Sequence, residues 1–244
     1  FWALCAGGGL LVLLILALIL ITTTRQAWPA FVQEGPRFVV ANAWVPNRGT
    51  FGALAFVYGT LVSSALALLF AVPVSIGIAL FLTELAPRRL RGPVITVIDL
   101  LAAIPSVVFG LWGILVVAPA IVHVYRWIHD LVGGVPVLGA VAGEPVSTGR
   151  GFMTAGLILA IMITPIITSI SREVFSTVPA AEKHAALALG ATRWEMIKGA
   201  VFPHSFGGLI GAVMLGLGRA MGETIALALV FGASTQVVAN LFAS

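Results

Sequence analysis

The chain has 244 residues, 60% of them hydrophobic and 9% charged, with a mean hydropathy of +1.11. A soluble domain carries about 25% charged residues, so this composition excludes an ordinary soluble fold and points to an integral membrane protein. The net charge of +4 is small and its cations are scattered, so no nucleic-acid partner is expected, and Cys5, the single cysteine, allows neither a disulfide framework nor a cysteine-ligated metal site within one chain.

A membrane-crossing helix needs about 20 apolar residues. In chain order, five stretches qualify, at about 1–22, 52–83, 94–120, 152–171 and 205–232. Strand alternation of the barrel kind is absent, so all five are read as helices, an all-α architecture. The first stretch lacks the basic leader and small-residue cleavage site of a secretory signal. The chain opens at Phe1 inside an apolar run and stops at Ser244 after another, so residues are expected beyond both ends. The second and fifth stretches exceed one bilayer thickness and are expected to tilt or project.

Loop charges set the orientation. The short link 83–93 packs Arg88, Arg89 and Arg91, and the segment 172–203 holds Arg172, Lys183, Arg193 and Lys198. The opposite loops spread Arg25, Arg37, Arg48, Arg126 and Arg150 over longer stretches that also carry Trp28, Trp44 and Trp127. The dense short link dominates, which places 83–93 and 172–203 in the cytoplasm. Glu84 and Arg88, four apart, are expected to form a surface pair, and Asp99 is placed early in the third span. Pro73, Pro105 and Pro165 fall inside spans two, three and four, where each removes a backbone hydrogen bond and kinks its helix.

The segment 172–203 reads as a structured unit. Pro179 and Glu182 suit a first helical turn, Ala185 and Ala186 begin a helix-forming run, and Gly190 ends it in the manner of a C-cap. Thr192 and Glu195 then have capping-box spacing, starting a second short helix that contains Arg193. Spacing alone leaves two readings open, a surface helix pair without a partner and a docking element.

Span five carries the charges that lipid tolerates least. Gly207, Gly211, Gly218 and Gly222 fall within about 60° of one another on a helix, a smooth stripe for close helix packing. Arg219 and Glu223, four apart, share a face beside that stripe. Arg219 stands about 20 Å of helix rise into the span. A central arginine costs roughly 2.5–3.5 kcal/mol on the insertion scale, so it should face a bundle interior or a wet cavity. One reading is a structural Arg–Glu pair. The other is an anion site, with Glu223 neutralising Arg219 at rest and Thr224 adding a hydroxyl. No Gly-Lys pair exists, so there is no ATP-binding phosphate loop. His123 and His129 are badly spaced for metal ligands, and no metal site is expected. His204 and Ser205 are adjacent and do not form a nucleophile and base. No catalytic residue is assigned.

The run "AALALGATRWEMIKGAVFP" resembles the cytoplasmic loop of ABC-transporter permeases, and "IPSVVFGLWGI" and "GLGRAMGETIAL" with the stretch 51–91 resemble the PstC family, permeases of bacterial phosphate importers. The resemblance covers nearly the whole chain and is sharpest in Arg-Ala-x-Gly-Glu-Thr. It implies an ABC-importer helical bundle in the bacterial inner membrane, with five spans visible of an expected six. It also implies a coupling helix docking on an ATPase through Glu182, His184, Ala185, Ala186, Gly190 and Arg193. His184 departs from the glutamate usual there. The implied partners are a second permease subunit (PstA-like), an ATPase dimer (PstB-like) that holds ATP and magnesium, an extracytoplasmic phosphate-binding protein (PstS-like), phosphate and membrane lipid. No cofactor is expected in this chain. The competing class is a non-transporting membrane scaffold or sensor, and another anion importer is a third reading.

Overall fold

The computed structural model describes residues 2–42, 44–45, 50–135, 139, 141–231 and 240–242. It divides into two compact units, one formed by the described residues up to Val57 and the other by those from Tyr58 onward. Arg48 lies outside the described residues. Among the described residues there is no β-strand, only an isolated bridge between Val45 and Thr50.

In the first unit, helix α1 (Trp2–Glu34) is longer than the expected 1–22 and exposes its leucines and isoleucines. Gly35, at φ +56°, turns the chain into the short α2 (Arg37–Val40), and Phe31 meets Phe38 edge to face at 5.0 Å. Glu34 Oε1 accepts a hydrogen bond from the Phe51 amide at 3.0 Å.

Helix α3 (Leu54–Leu80) leads from the first unit into the second and ends in a π-helical turn, Phe81–Leu85. The third span is where expectation and structure part. Residues 94–120 are not one helix. Helix α4 (Arg88–Ala102) stops at Ala103, and a new helix starts at Ser106 as α5 (Ser106–Trp112), passes through a π turn (Gly113–Val117) and continues as α6 (Ala118–Val132). Two features cause the shift. Arg88, Arg89, Arg91 and Asp99 leave α4 amphipathic, and Pro105, extended at φ −60° and ψ 140°, cannot continue it. The membrane-length helix is therefore Ser106–Val132. Asp99 sits exposed on the amphipathic helix, and His123, Arg126 and Trp127 are helical and not in a loop.

Helix α7 (Phe152–Ser176) is the most buried of the membrane-length helices and forms the axis of the second unit. Its Ile158, Leu159, Ile163 and Ile167 pack with Ala67 and Ala71 of α3, while small residues let neighbours approach. A β-carbon at Gly156 would fall 2.6 Å from Leu66 Cβ. Near its start, Thr154 donates to the Gly149 carbonyl at 2.6 Å and bonds the Tyr125 hydroxyl of α6 at 2.9 Å.

After α7 come α8 (Ala180–Ala188), α9 (Arg193–Met196), a π turn (Ile197–Val201), α10 (Phe202–Met221) and α11 (Ile225–Phe231). The expected single span 205–232 is thus broken: helix ends at Met221, Gly222 to Thr224 interrupt it, and α11 restarts. Helix α11 packs across α5, where a β-carbon at Gly110 would lie 3.0 Å from Ala226 Cα. The two interrupted spans therefore meet through the segments that follow their breaks.

Candidate functional site

Helix α10 runs antiparallel to α7, with Gly208 against Val174 and Gly216 against Ile167. The same register carried onward sets Arg219 level with Thr164, midway along α7. Ser75 of α3 donates to the Thr164 carbonyl at 3.2 Å, so Ser75, Thr164 and Arg219 share one depth in the bundle. Pro73 and Pro165 lie beside that level, where missing backbone donors loosen their helices.

Arg219 occupies the last turn of α10, where a cation complements the negative end of the helix dipole. Its side chain is exposed, and among the described residues no carboxylate lies within ion-pair distance. The expected Arg219–Glu223 pair does not form. The four-residue spacing assumed a continuous helix, and the helix has already ended. Glu223 is half-buried in the break and its Oε1 accepts from the Ala226 amide at 3.1 Å, capping the first turn of α11. Thr224 is exposed at the same break, and its carbonyl receives the Ala228 amide at 2.9 Å. Discontinuous helices at mid-membrane put backbone ends and polar side chains where a continuous helix has none.

The glycine stripe also lies elsewhere than its neighbours in this chain. A β-carbon at Gly207, Gly211 or Gly218 would meet nothing within 4 Å, and one at Gly222 would meet only α10's own backbone, Gly218 O at 3.2 Å. The close approach to α7 uses Gly208 and Gly216 instead. They share a face with the buried Leu209, Ala212 and Ala220, a signal the sequence did carry.

The 172–203 segment folds as a helix, a glycine turn and a helix. Gly190 has φ +88°, and its amide donates to Leu187 O while the Ala191 amide donates to Ala186 O. Together these are the two bonds of a Schellman turn. Thr192 and Glu195 form a reciprocal capping box, with the Glu195 amide donating to Thr192 Oγ1 at 3.3 Å and the Thr192 amide to Glu195 Oε2 at 2.8 Å. Ala185, Ala186, Leu189 and Ala191 line a shallow groove edged by Glu182 and Glu195, and Leu189 is 90% exposed. His184 and Arg193 are exposed on the same segment. Glu84 does not pair with Arg88. It pairs with Lys183, whose Nζ donates to Glu84 Oε1 at 2.6 Å.

The profile of the "Binding-protein-dependent transport system inner membrane component" family matches residues 71–243. The chain belongs to this family. It is thus an all-α permease of the ABC-importer class and, with five helices among the described residues long and apolar enough to cross a bilayer, a multi-pass inner-membrane protein. Among similar proteins, the phosphate transport system permease protein PstC of Mesorhizobium japonicum is 46% identical over 89% of this chain and 66% of its own length. PstC of Xylella fastidiosa strain 9a5c is 46% identical over 85% of this chain and 64% of its own. PstC of Haemophilus influenzae is 44% identical over 88% and 69%. The permease therefore spans about two thirds of the length of these relatives. A chain of the MetNI methionine ABC transporter, solved in inward facing conformations, aligns over 70% of the permease and 68% of itself at 19% identity and a TM-score of 0.48.

Proposed function

We propose that this permease is the membrane-spanning subunit of an ATP-driven inorganic phosphate importer, forming half of the translocation pathway and coupling to a separate ATPase. The observation that carries the reading is Arg219. It is a cation at mid-depth, beside a helix break, with no carboxylate in ion-pair reach among the described residues. An unpaired arginine at that depth is costly unless it serves a water-filled path or a ligand. The names of the PstC relatives support phosphate as that ligand.

Phosphate oxygens accept two parallel N–H bonds from the Arg219 fork, a geometry that lysine lacks. Thr224 offers a hydroxyl at the break. Glu223 spends Oε1 on the Ala226 amide, which leaves Oε2 to accept from a protonated phosphate and to repel a fully ionised anion. Glu223 thus acts as a selector and as the cap that holds the break open, without neutralising Arg219. Negatively charged phosphate compensates the arginine only while it is bound, so the site favours occupancy over an empty resting state.

The groove of the 172–203 segment, with exposed Leu189 at its turn, is the docking element for the ATPase. Glu182, His184, Ala185, Ala186, Gly190 and Arg193 form or shape that surface, and 83–93 lies on the same cytoplasmic side. ATP and magnesium are held by the partner ATPase dimer. This chain performs no catalysis of its own. A second permease subunit supplies the other half of the pathway, and an extracytoplasmic binding protein delivers phosphate.

The test is ATP-dependent uptake of radiolabelled phosphate into cells supplying the partner subunits, with and without this chain. Uptake that requires the chain, and is lost in Arg219→Gln with assembly intact, supports the reading. Uptake unchanged in an assembled Arg219→Gln complex, or no dependence on the chain, overturns it.

A further inference from the structure

Helix α8 buries no side chain fully. Of its residues, only Ala186 packs against the apolar cluster that joins Ala79 and Leu80 of α3 to Phe175, Met196 and Val201. What directs it is charge. Glu182 and Lys183 are consecutive, about 100° apart around the helix, so they reach two different neighbours. Lys183 Nζ bonds Glu84 Oε1 at 2.6 Å, with the side chains 19% and 9% exposed. Glu84 lies in the π turn that closes span two. Glu182 Oε2 stands 3.4 Å from His204 Nδ1 in the first turn of α10, with side chains 46% and 37% exposed. The Glu84 turn is gripped from a further direction by Arg91 of α4, whose Nη2 donates to the Thr83 carbonyl at 3.0 Å.

These attachments are unequal. An exposed ion pair contributes little, because water screens it and both side chains lose freedom. A nearly buried carboxylate is different: stripped of its cation it is left as an uncompensated charge, and the structure resists that strongly. The single small side chain of Ala186 gives the apolar contact no directional hold. A short, directional bond between an ammonium and a buried carboxylate supplies one.

We propose that the Lys183–Glu84 pair is the polar tie through which α8 moves span two, so that displacement of α8 by an ATPase is transmitted to the cytoplasmic end of that span. Lys183 and Glu84 are positioning residues in this scheme and touch no substrate. The proposal rests on the transport reading, which supplies the ATPase as the source of movement. It adds the route by which the motion reaches span two.

The experiment uses the whole complex, this chain with the second permease subunit, the ATPase and the binding protein, in proteoliposomes. Phosphate transported per ATP hydrolysed is measured for the wild type, Lys183→Met, Glu84→Gln, Lys183→Arg and the exchange Glu84→Lys/Lys183→Glu. The two neutral variants are expected to lower the ratio roughly tenfold, within the usual range for coupled sites, while the ATPase still copurifies and hydrolyses ATP. Lys183→Arg and the exchange are expected to restore most of the ratio. A merely structural pair would change yield or thermal stability and leave the ratio of the assembled fraction alone. Neutral variants with a wild-type ratio overturn the tie. If the neutral variants do not assemble, the charge-keeping variants decide, and a low ratio in assembled Lys183→Arg and exchange complexes overturns it. The wild-type complex separates the two ideas. If it imports no phosphate, the transport reading falls and the tie with it. If it imports normally and the variants keep its ratio, the tie alone falls.

Discussion

Gly208 of α10 lies flat against Val174 of α7: a β-carbon at 208 would fall 2.6 Å from both Val174 methyl groups. Any larger residue at 208 therefore requires Val174 to shift. Gly208 is itself exposed and Val174 half-buried, so Gly208→Leu must displace Val174 at the helix seam and is expected to destabilise the chain by about 1 kcal/mol. Gly207→Leu, one residue away, enters open space and is expected to stay within about 0.5 kcal/mol. Thermal inactivation midpoints of the two purified variants in detergent check the contrast. A Gly207 variant as damaged as the Gly208 variant would contradict the observed helix face.

The turn at Gly190 makes a conformational demand of its own. Its φ of +88° is open to glycine and strained for β-branched residues. Gly190→Val is expected to cost the segment about 1–2 kcal/mol and to weaken ATPase copurification or ATP-coupled uptake, with the spans still inserted. Gly190→Asn, which tolerates the left-handed region better, is expected to lose much less. Because nothing lies within 4 Å of a β-carbon at 190, steric clash does not confuse the comparison. Normal uptake in Gly190→Val would remove the turn from the coupling surface.

At the mid-depth site, charge and fork geometry separate three variants. Arg219→Gln is expected to abolish phosphate uptake, and Arg219→Lys to lose most of it, since an ammonium is a point charge. Glu223→Gln keeps an acceptor oxygen for the Ala226 amide and is expected to be milder than either. Glu223→Ala loses the cap as well, a further cost of about 1 kcal/mol in the stability of the break. The measurement is initial uptake rate normalised to assembled complex. Glu223→Ala and Glu223→Gln behaving identically would show that the cap contributes nothing.

Orientation is checked with single cysteines in a Cys5→Ala background. Arg89→Cys is expected to resist an impermeant thiol reagent in intact cells and to react in inside-out vesicles. Arg37→Cys and Gly143→Cys are expected to do the reverse. Labelling of Arg89→Cys in intact cells would invert the topology.

What the sequence made legible was local. The Thr192–Glu195 box and the Gly190 turn were written in four or five consecutive residues, and both formed as spelled. Apolar runs located the membrane helices because hydropathy needs only composition. The breaks escaped the same measure, since a window of apolar residues cannot register that Pro105 or Gly222 stops the backbone ladder inside it. Arg219 and Glu223 do not pair for that reason, because a spacing of four has meaning only within one helix. The Lys183–Glu84 pair joins residues 99 apart, and Arg88 was the nearer cation in sequence. On α10, two sets of glycines offered smooth faces, and only the position of Val174 and Ile167 tells which one this chain uses.

The π turns at Phe81–Leu85 and Ile197–Val201 flank α8 at the ends of spans two and five. A π turn closes with one more residue than an α turn, so each marks a one-residue insertion whose removal would rotate everything beyond it by about 100°. Spans two and five are therefore indexed like shafts with keyed joints. Deleting one residue within 81–85 would leave the helix unbroken and its hydropathy intact, yet swing Glu84 away from Lys183. Insertions and deletions of single residues at these turns would act as changes of angle, a kind of variation in which a transporter is retuned without any side chain in its pathway being replaced.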